Sequence, residues 1–345
     1  MKNPIFRPEL WQNWSASKIN MYEKCRKQFL FHYILRRFYE ITQLIIIELI
    51  FGSEMHKKFH QFFTLKNGFQ SQESFSKSWL FTWTMLYKKY HLLASDETKK
   101  EWKRKIGWGI VMLRAFYRYN FLYRNFYNKK KIVSEHSFSI PETEVPFKFS
   151  FNGFWLEGKI DRIQDKSVWD YKTGRSNYSL EEMTRDLQFT ILQLAFQEKY
   201  GFNPESMAIC QYKNPVRNSD IDIVLDNDGL FKVNLTNIDK TGTFKLIPVP
   251  VRENGSFEEL ADKLKKAEEE IKYAVFKNCD FTKSIYDNPI HDCFLTRVGN
   301  HCGTCQYEAV CTDITRNKLL QTKDATKYMQ RKKTNNCSHE QLLLF

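Results

Sequence analysis

The chain lacks any apolar run long enough to cross a membrane. Its longest greasy stretch, Ile41 to Phe51, contains Thr42, Gln43 and Glu48. It falls well short of the roughly 20 residues a spanning helix needs, and it reads as a buried helix. A secretory leader is also missing, because Met1 to Trp14 is mixed and carries Pro4 and Pro8. There is no internal repeat. The expectation is a soluble, cytoplasmic protein with no membrane role. Acidic residues are in deficit, 40 against 53 lysines and arginines, for a net charge of +13 over 345 residues. That imbalance favours a polyanionic partner, nucleic acid first. Hydrophobic residues reach 42%, enough for a sizeable core, and aromatic residues 16%, so some rings are available to stack on unpaired bases. Eight cysteines in a reducing compartment point to metal ligation more than to disulfides.

Residues 15 to 128 carry apolar side chains at helical spacing. Ser15 or Ser17 is placed to cap a helix running through Ile19, Tyr22 and Cys25 toward Phe29 and Tyr33. Further helices are expected over Gly52 to Phe63, Ser74 to Leu93 and Glu97 to Tyr123. From Lys131 the pattern turns to strands: Ile132 to Ile140, the alternating Phe147, Phe149 and Phe151, then Phe154 to Ile163 and Val168 to Lys172. Asn152-Gly153 supplies a hairpin turn. Ser179 to Tyr200 reads as one helix closed by Gly201, with Gln193 on its surface. Strands return at Met207 to Tyr212 and Leu230 to Leu235. Ser256 and Glu259 form a capping box for a charged helix ending near Phe276. The expected class is α/β. An N-terminal helical subdomain covers 1–130 and a mixed core 131–312. A polar, basic tail follows at 313–345, with Arg331-Lys332-Lys333 inside it.

The informative stretch is EGKIDRIQDKSVWDYKTG, Glu157 to Gly174. A turn centred on Asp165-Lys166 sets Asp161 directly opposite Asp170, with facing Cβ atoms roughly 5 Å apart. Two carboxylates there repel unless a cation lies between them, and a divalent, oxygen-loving ion such as magnesium or manganese answers that need. Lys172, two residues beyond Asp170, projects from the same face. Its ammonium is placed to orient a water or to offset charge on a phosphate. The bland alternative is a solvated hairpin face.

GKIDR followed by VWDYKTG resembles the G-x-x-D…(D/E)-x-K core of the PD-(D/E)xK nuclease superfamily, in its RecB-like branch. The resemblance implies a restriction-endonuclease-like core, a mixed sheet flanked by helices, with Asp161, Asp170 and Lys172 catalytic. FGSEMH resembles the branch's G-x-x-x-H helix, which makes His56 a metal ligand beside Asp161, Asp170 and Tyr171. His60 shares its face but lies outside the motif and receives no role. DLQFTIL resembles the Q-x-x-x-Y helix. Gln188 matches its glutamine, while Leu192 stands where tyrosine is usual. Glu135 resembles a glutamate found on the strand before the core.

CGTCQYEAVC sets Cys302, Cys305 and Cys311 at metal-binding spacing, and a fourth ligand is missing nearby. Zinc completed by His301 or Cys293 is one solution. Cys25 resembles the first cysteine of the iron–sulfur nucleases related to AddB and to CRISPR-adaptation exonucleases, with Arg26 where those carry proline. That resemblance implies a [4Fe–4S] cluster held by Cys25, Cys302, Cys305 and Cys311, a structural staple joining the two ends of the domain. Cys210, Cys279 and Cys337 match nothing. The last residues, Gln341, Leu342, Leu343, Leu344 and Phe345, resemble the peptide by which bacterial replication and repair proteins dock on the sliding clamp. That resemblance implies a bacterial or phage-encoded chain. Together these readings give a metal-dependent DNA nuclease, an exonuclease on single-stranded or frayed ends. The alternatives are a catalytically inactive iron–sulfur DNA-binding scaffold and a zinc-bound structural protein.

Overall fold

Helix caps and turn residues set most of the element boundaries. The computed structural model describes residues 13–34, 43–64, 71–90, 95–130, 141–173, 178–212, 221–225, 231–235 and 244–278. Toward the C-terminus it describes residues 293, 294, 302, 305, 307 and 311. The expected strand over 132–140, Glu135, and the tail from 313 onward lie outside these residues. Among the described residues no helix is long and apolar enough to cross a membrane.

The elements run β1 (Asn13–Trp14), α1 (Ala16–Lys24), α2 (Arg26–Phe29), a π-helical turn (Leu30–Ile34), α3 (Gln43–Thr64), α4 (Gln72–Tyr90) and α5 (Asp96–Lys130). After them come β2 (Glu142–Phe151), β3 (Phe154–Gln164), β4 (Ser167–Lys172), α6 (Leu180–Arg185), α7 (Leu187–Tyr200) and β5 (Ser206–Tyr212). The remainder is β6 (Ile221–Leu225), β7 (Phe231–Leu235), β8 (Phe244–Val249) and α8 (Asn254–Asn278). The result is an α/β protein with a mixed six-stranded sheet flanked by helices, and β6 and β7 form a separate two-stranded ladder.

Ser15 is the cap of α1, accepting from the Lys18 amide at 3.3 Å. The helix expected to run on to Tyr33 breaks at Cys25, which is extended (φ −161°, ψ 106°) before α2 begins. The helix expected over Ser179 to Tyr200 also breaks, at Asp186. That residue ends α6 in an extended conformation, and its carboxylate then accepts the Gln188 amide at 2.8 Å to cap α7. Gly201 closes α7 in the left-handed region, as its sequence position implies. Gln193 does not lie on the surface. It is fully buried and exchanges hydrogen bonds with the Arg252 main chain at 2.6 and 3.0 Å, satisfying a loop that would otherwise leave its amide orphaned. α8 starts at Asn254, ahead of Ser256. β6 and β8 carry no alternation strong enough to be read in the sequence, and β8 includes Pro248.

β3 organises the sheet. β2 pairs antiparallel with it from Phe154 to Ile163, with a break at Glu144 and Asp161, through the Asn152-Gly153 turn, where both residues have positive φ. Its other edge carries β1 at Trp155 and Leu156, and β4 at Arg162 to Gln164. The β3–β4 turn is Asp165-Lys166, both left-handed at φ 48° and 62°, as a two-residue hairpin of right-handed twist requires. Strands β4 and β5 run parallel, joined through α6 and α7, and β8 closes the far edge antiparallel to β5.

The described residues fall into two compact units, one with those of 13–19 and 43–265 and the other with those of 20–34 and from 266 on. The larger unit's core is aromatic: Trp79 stacks on Trp83 beside Phe51, Trp102 meets Trp83 at a tilt, and Phe59 lies flat on Phe116 with centroids 4.2 Å apart. Gly109, midway along α5, is pressed against the Trp79 indole so closely that a Cβ would overlap the ring. Helix propensity alone would make Gly109→Ala stabilising by about 1 kcal/mol. Overpacking costs about 1–3 kcal/mol and should win. Denaturant unfolding of Gly109→Ala should therefore show a lowered midpoint, whereas Gly255→Ala, with open space around it, should not.

Candidate active site

Side chains alternate across β4, and that sorts its residues. Trp169 and Tyr171 point into the aromatic core, where Tyr171 meets Phe59 and Phe116 at 5.0 and 5.9 Å. Asp170 and Lys172 take the opposite face, toward α7. β3 does the same: Arg162 packs between Trp169 and Phe63 and donates to Asn120 at 2.8 Å and to Gln164, while Asp161 turns the other way.

The β3–β4 ladder follows the register that opposes Asp161 to Asp170, but it stops at Arg162–Trp169. One step further the strands diverge. The Asp161 carboxylate fills the gap, accepting the Tyr171 amide at 2.7 Å on Oδ2. Its other oxygen is 3.2 Å from His56 Nδ1. His56 reaches this point because α3 buries Phe51, Met55, Phe59 and Phe62, which leaves His56 at the edge of that apolar stripe.

Glu144 completes a group that sequence reasoning missed. Its carboxylate is 3.7 Å from His56 Nδ1, and His56, Glu144 and Asp161 offer ligand atoms within 4.8 Å of one another. Glu144 has φ 53° inside a strand, a conformation that is strained for a non-glycine residue. Thr143 beside it is held by His60 Nδ1 at 2.6 Å, so His60 has a place next to the site after all. Glu142 and Glu144 stand two residues apart in E-T-E, and nothing in that stretch of sequence singles out Glu144.

Asp170 is buried. Gln188 Nε2 donates to its Oδ1 at 2.6 Å, and Gln188 Oε1 accepts from Lys172 at 2.9 Å. Lys172 Nζ is also 2.9 Å from Asp170 Oδ2, but out of line, so that buried oxygen has no aligned donor. The break at Asp186 is what delivers Gln188 here, in the first turn of α7. Burial raises the Asp170 pKa, with Asp161 adding to the rise and Lys172 opposing it. For His56, burial acts against the charged form, yet Asp161 and Glu144 prevail and lift it to about 10. The two carboxylates thus favour the protonated ring. Tyr178 is close enough for Lys172 and Asp170 to perturb it, after burial, which raises its pKa most.

A buried acid beside a lysine ammonium, a second acid sharing its cleft, and a flanking histidine and glutamate form an oxygen-rich donor set that fits a hard divalent cation. The sequence model of the PD-(D/E)XK nuclease superfamily matches residues 13–312. The chain belongs to the PD-(D/E)XK nuclease superfamily. Membership implies phosphodiester cleavage with divalent metals, and it covers every residue of the cleft just described. No curated protein matches the chain in sequence.

Of the residues expected at a PD-(D/E)XK site, His56, Asp161, Asp170, Lys172 and Gln188 converge. Tyr171 joins them only through its main chain, since its ring is in the core. In the smaller unit, burial raises the Cys305 pKa, a Tyr307 backbone contact lowers it, and nearby Cys25, Cys302 and Cys311 raise it further. The four thiols thus share one neighbourhood. Cys305 donates its amide to the Cys302 carbonyl at 3.0 Å, and Cys311 to that of Tyr307 at 2.9 Å. His32 holds the Tyr307 hydroxyl at 2.9 Å. Cys210 is a buried thiol of the larger unit's core.

Glu144→Gln should weaken Mn2+ binding measured by titration calorimetry by about ten-fold or more, as loss of a charged oxygen ligand does. Unchanged affinity would remove Glu144 from the donor set.

Proposed function

We propose that the protein is a metal-dependent deoxyribonuclease of the RecB-like branch, acting as an exonuclease on single-stranded or frayed DNA ends in replication, recombination or repair. The observation that carries this reading is the buried Asp170–Lys172–Gln188 triangle facing Asp161 across diverging strands. Such a constellation is a poor source of stability, because taking a carboxylate and an ammonium out of water costs about as much as their pairing returns.

Asp161, Asp170, His56, Glu144 and the main-chain carbonyl of Tyr171 would hold magnesium or manganese. The bound ion supplies a polarised phosphoryl oxygen and a more acidic water. Lys172 is the positively charged group next to the reacting phosphate, and it offsets charge that develops there. Gln188 holds both Asp170 and Lys172 at fixed angles, a positioning task that its two hydrogen bonds suit. With manganese and end-labelled single-stranded DNA, wild type should degrade the strand. Lys172→Ala should lose about a hundred-fold or more in rate while still binding DNA. Cleavage at the wild-type rate by that variant would end the reading.

The shared neighbourhood of Cys25, Cys302, Cys305 and Cys311 supports a [4Fe–4S] staple with a structural task. The extended break at Cys25 gives that thiol a main-chain position distinct from the helices on either side. Anaerobic purification should give a brown protein with iron and sulfide, and Cys25→Ser should lose both. A colourless wild type with one zinc would instead favour a zinc site. The basic tail would then serve as a tether, with Gln341, Leu342, Leu344 and Phe345 engaging a bacterial-type sliding clamp in the cytoplasm of a bacterial cell or of a phage-infected host.

A further inference from the structure

The β2–β3 hairpin extends well beyond the cleft, and its two faces differ. One face buries Val145, Phe149, Leu156 and Ile160. The other begins at Asp161 and continues along β3 at every second residue: Lys159, Glu157 and Trp155. Their partners across the ladder are Pro146, Lys148 and Ser150. This second face is open. Trp155 is 48% exposed, the Lys159 side chain 61%, and Pro146, Lys148 and Ser150 are exposed as well. Trp155 thus leaves about half of a large apolar ring open to water on a strand whose opposite face is well packed. Lys148 holds its ammonium 5.7 Å from the Trp155 ring centroid, and Lys18 of α1 reaches the same face beside Glu157 at 3.8 Å.

Six residues separate Trp155 from Asp161, about 20 Å at the rise of a β-strand. That is the reach of a few nucleotides of extended strand. We propose that this face is a track for an unpaired DNA strand running to the metal site. Trp155 is the platform on which one base stacks and Lys148 meets the phosphates, while Lys159, its ammonium 3.3 Å from Glu144, stands where the track reaches the metal site. Stacking on an indole needs a base free of its complement, and ammonium groups interleaved with an aromatic ring are the chemistry that single strands select. A paired duplex offers the ring no base face. The inference rests on the nuclease reading and specifies how its substrate is gripped.

The test is fluorescence anisotropy of the full chain with a fluorescein-labelled oligothymidylate, in EDTA so that no cleavage occurs. Trp155→Ala should bind about ten-fold more weakly or worse, and Trp155→Phe should stay close to wild type. Lys148→Ala, on an exposed position that folding does not need, should weaken binding and lower the slope of log affinity against log salt by about one. A Trp155→Ala variant with wild-type affinity would overturn the proposal, as would equal loss on a blunt duplex or an unchanged salt slope for Lys148→Ala. A wild type that binds the strand but leaves it intact with manganese would sink the nuclease reading and spare the track. A wild type that cuts, with Trp155→Ala binding normally, would sink the track alone.

Discussion

Asp161 takes a main-chain amide as its partner, and that choice shapes the cleft. Where β3 and β4 diverge, the Tyr171 N–H would lose its ladder partner, and a buried amide left open costs about 1–3 kcal/mol. The carboxylate replaces the missing strand carbonyl. In doing so it is pinned on the face shared with Asp170, while Tyr171 is locked into the aromatic core. Sheet geometry and acid placement are therefore one feature. A shorter ladder opens the wedge, and the wedge holds its acids because the side chain that opened it also satisfies the backbone.

Around that wedge the protein concentrates unfavourable terms. Asp170 is out of water with one oxygen lacking an aligned donor, and Glu144 has a left-handed backbone in mid-strand. Both would be selected against in a purely structural hairpin. They persist because the packing behind them is strong: Phe59, Phe116, Tyr171 and Tyr212 form one ring cluster, and Arg162 is fixed between Trp169 and Phe63. The aromatic layer supplies the rigidity, and the opposite face carries the charge.

The hairpin register was legible next to its turn, where Arg162, Ile163 and Gln164 pair with Trp169, Val168 and Ser167, because the period of two and a two-residue turn leave little freedom. The helical N-terminal half was legible for the same reason, through its apolar spacing. The breaks at Cys25 and Asp186 were not. Apolar periodicity continues across both, and what interrupts each helix is an extended residue, which at Asp186 turns its carboxylate to cap the next helix. Glu144 was hidden for a related reason: nothing in T-E-V-P announces a positive φ. Gln193 was misread as surface because its partner, the Arg252 main chain, is remote in sequence. Local pattern reports propensity, and each of these residues is set by a contact that the pattern does not contain.

Those breaks have a common logic. A continuous helix from Ser179 to Tyr200 would point the Gln188 amide in a direction set by the phase of α6. Restarting the helix at Asp186 frees α7 to take its own direction, with Gln188 in its first turn between Asp170 and Lys172. Cys25 interrupts its helix in the same way, in the unit where its thiol shares a neighbourhood with three others. At Asp186 helical hydrogen bonds are given up to aim Gln188, at a cost that the Asp186 cap repays in part, whereas no side chain caps the restart at Cys25. An interruption that costs stability and aims a functional group is the signature by which a site differs from the scaffold that carries it.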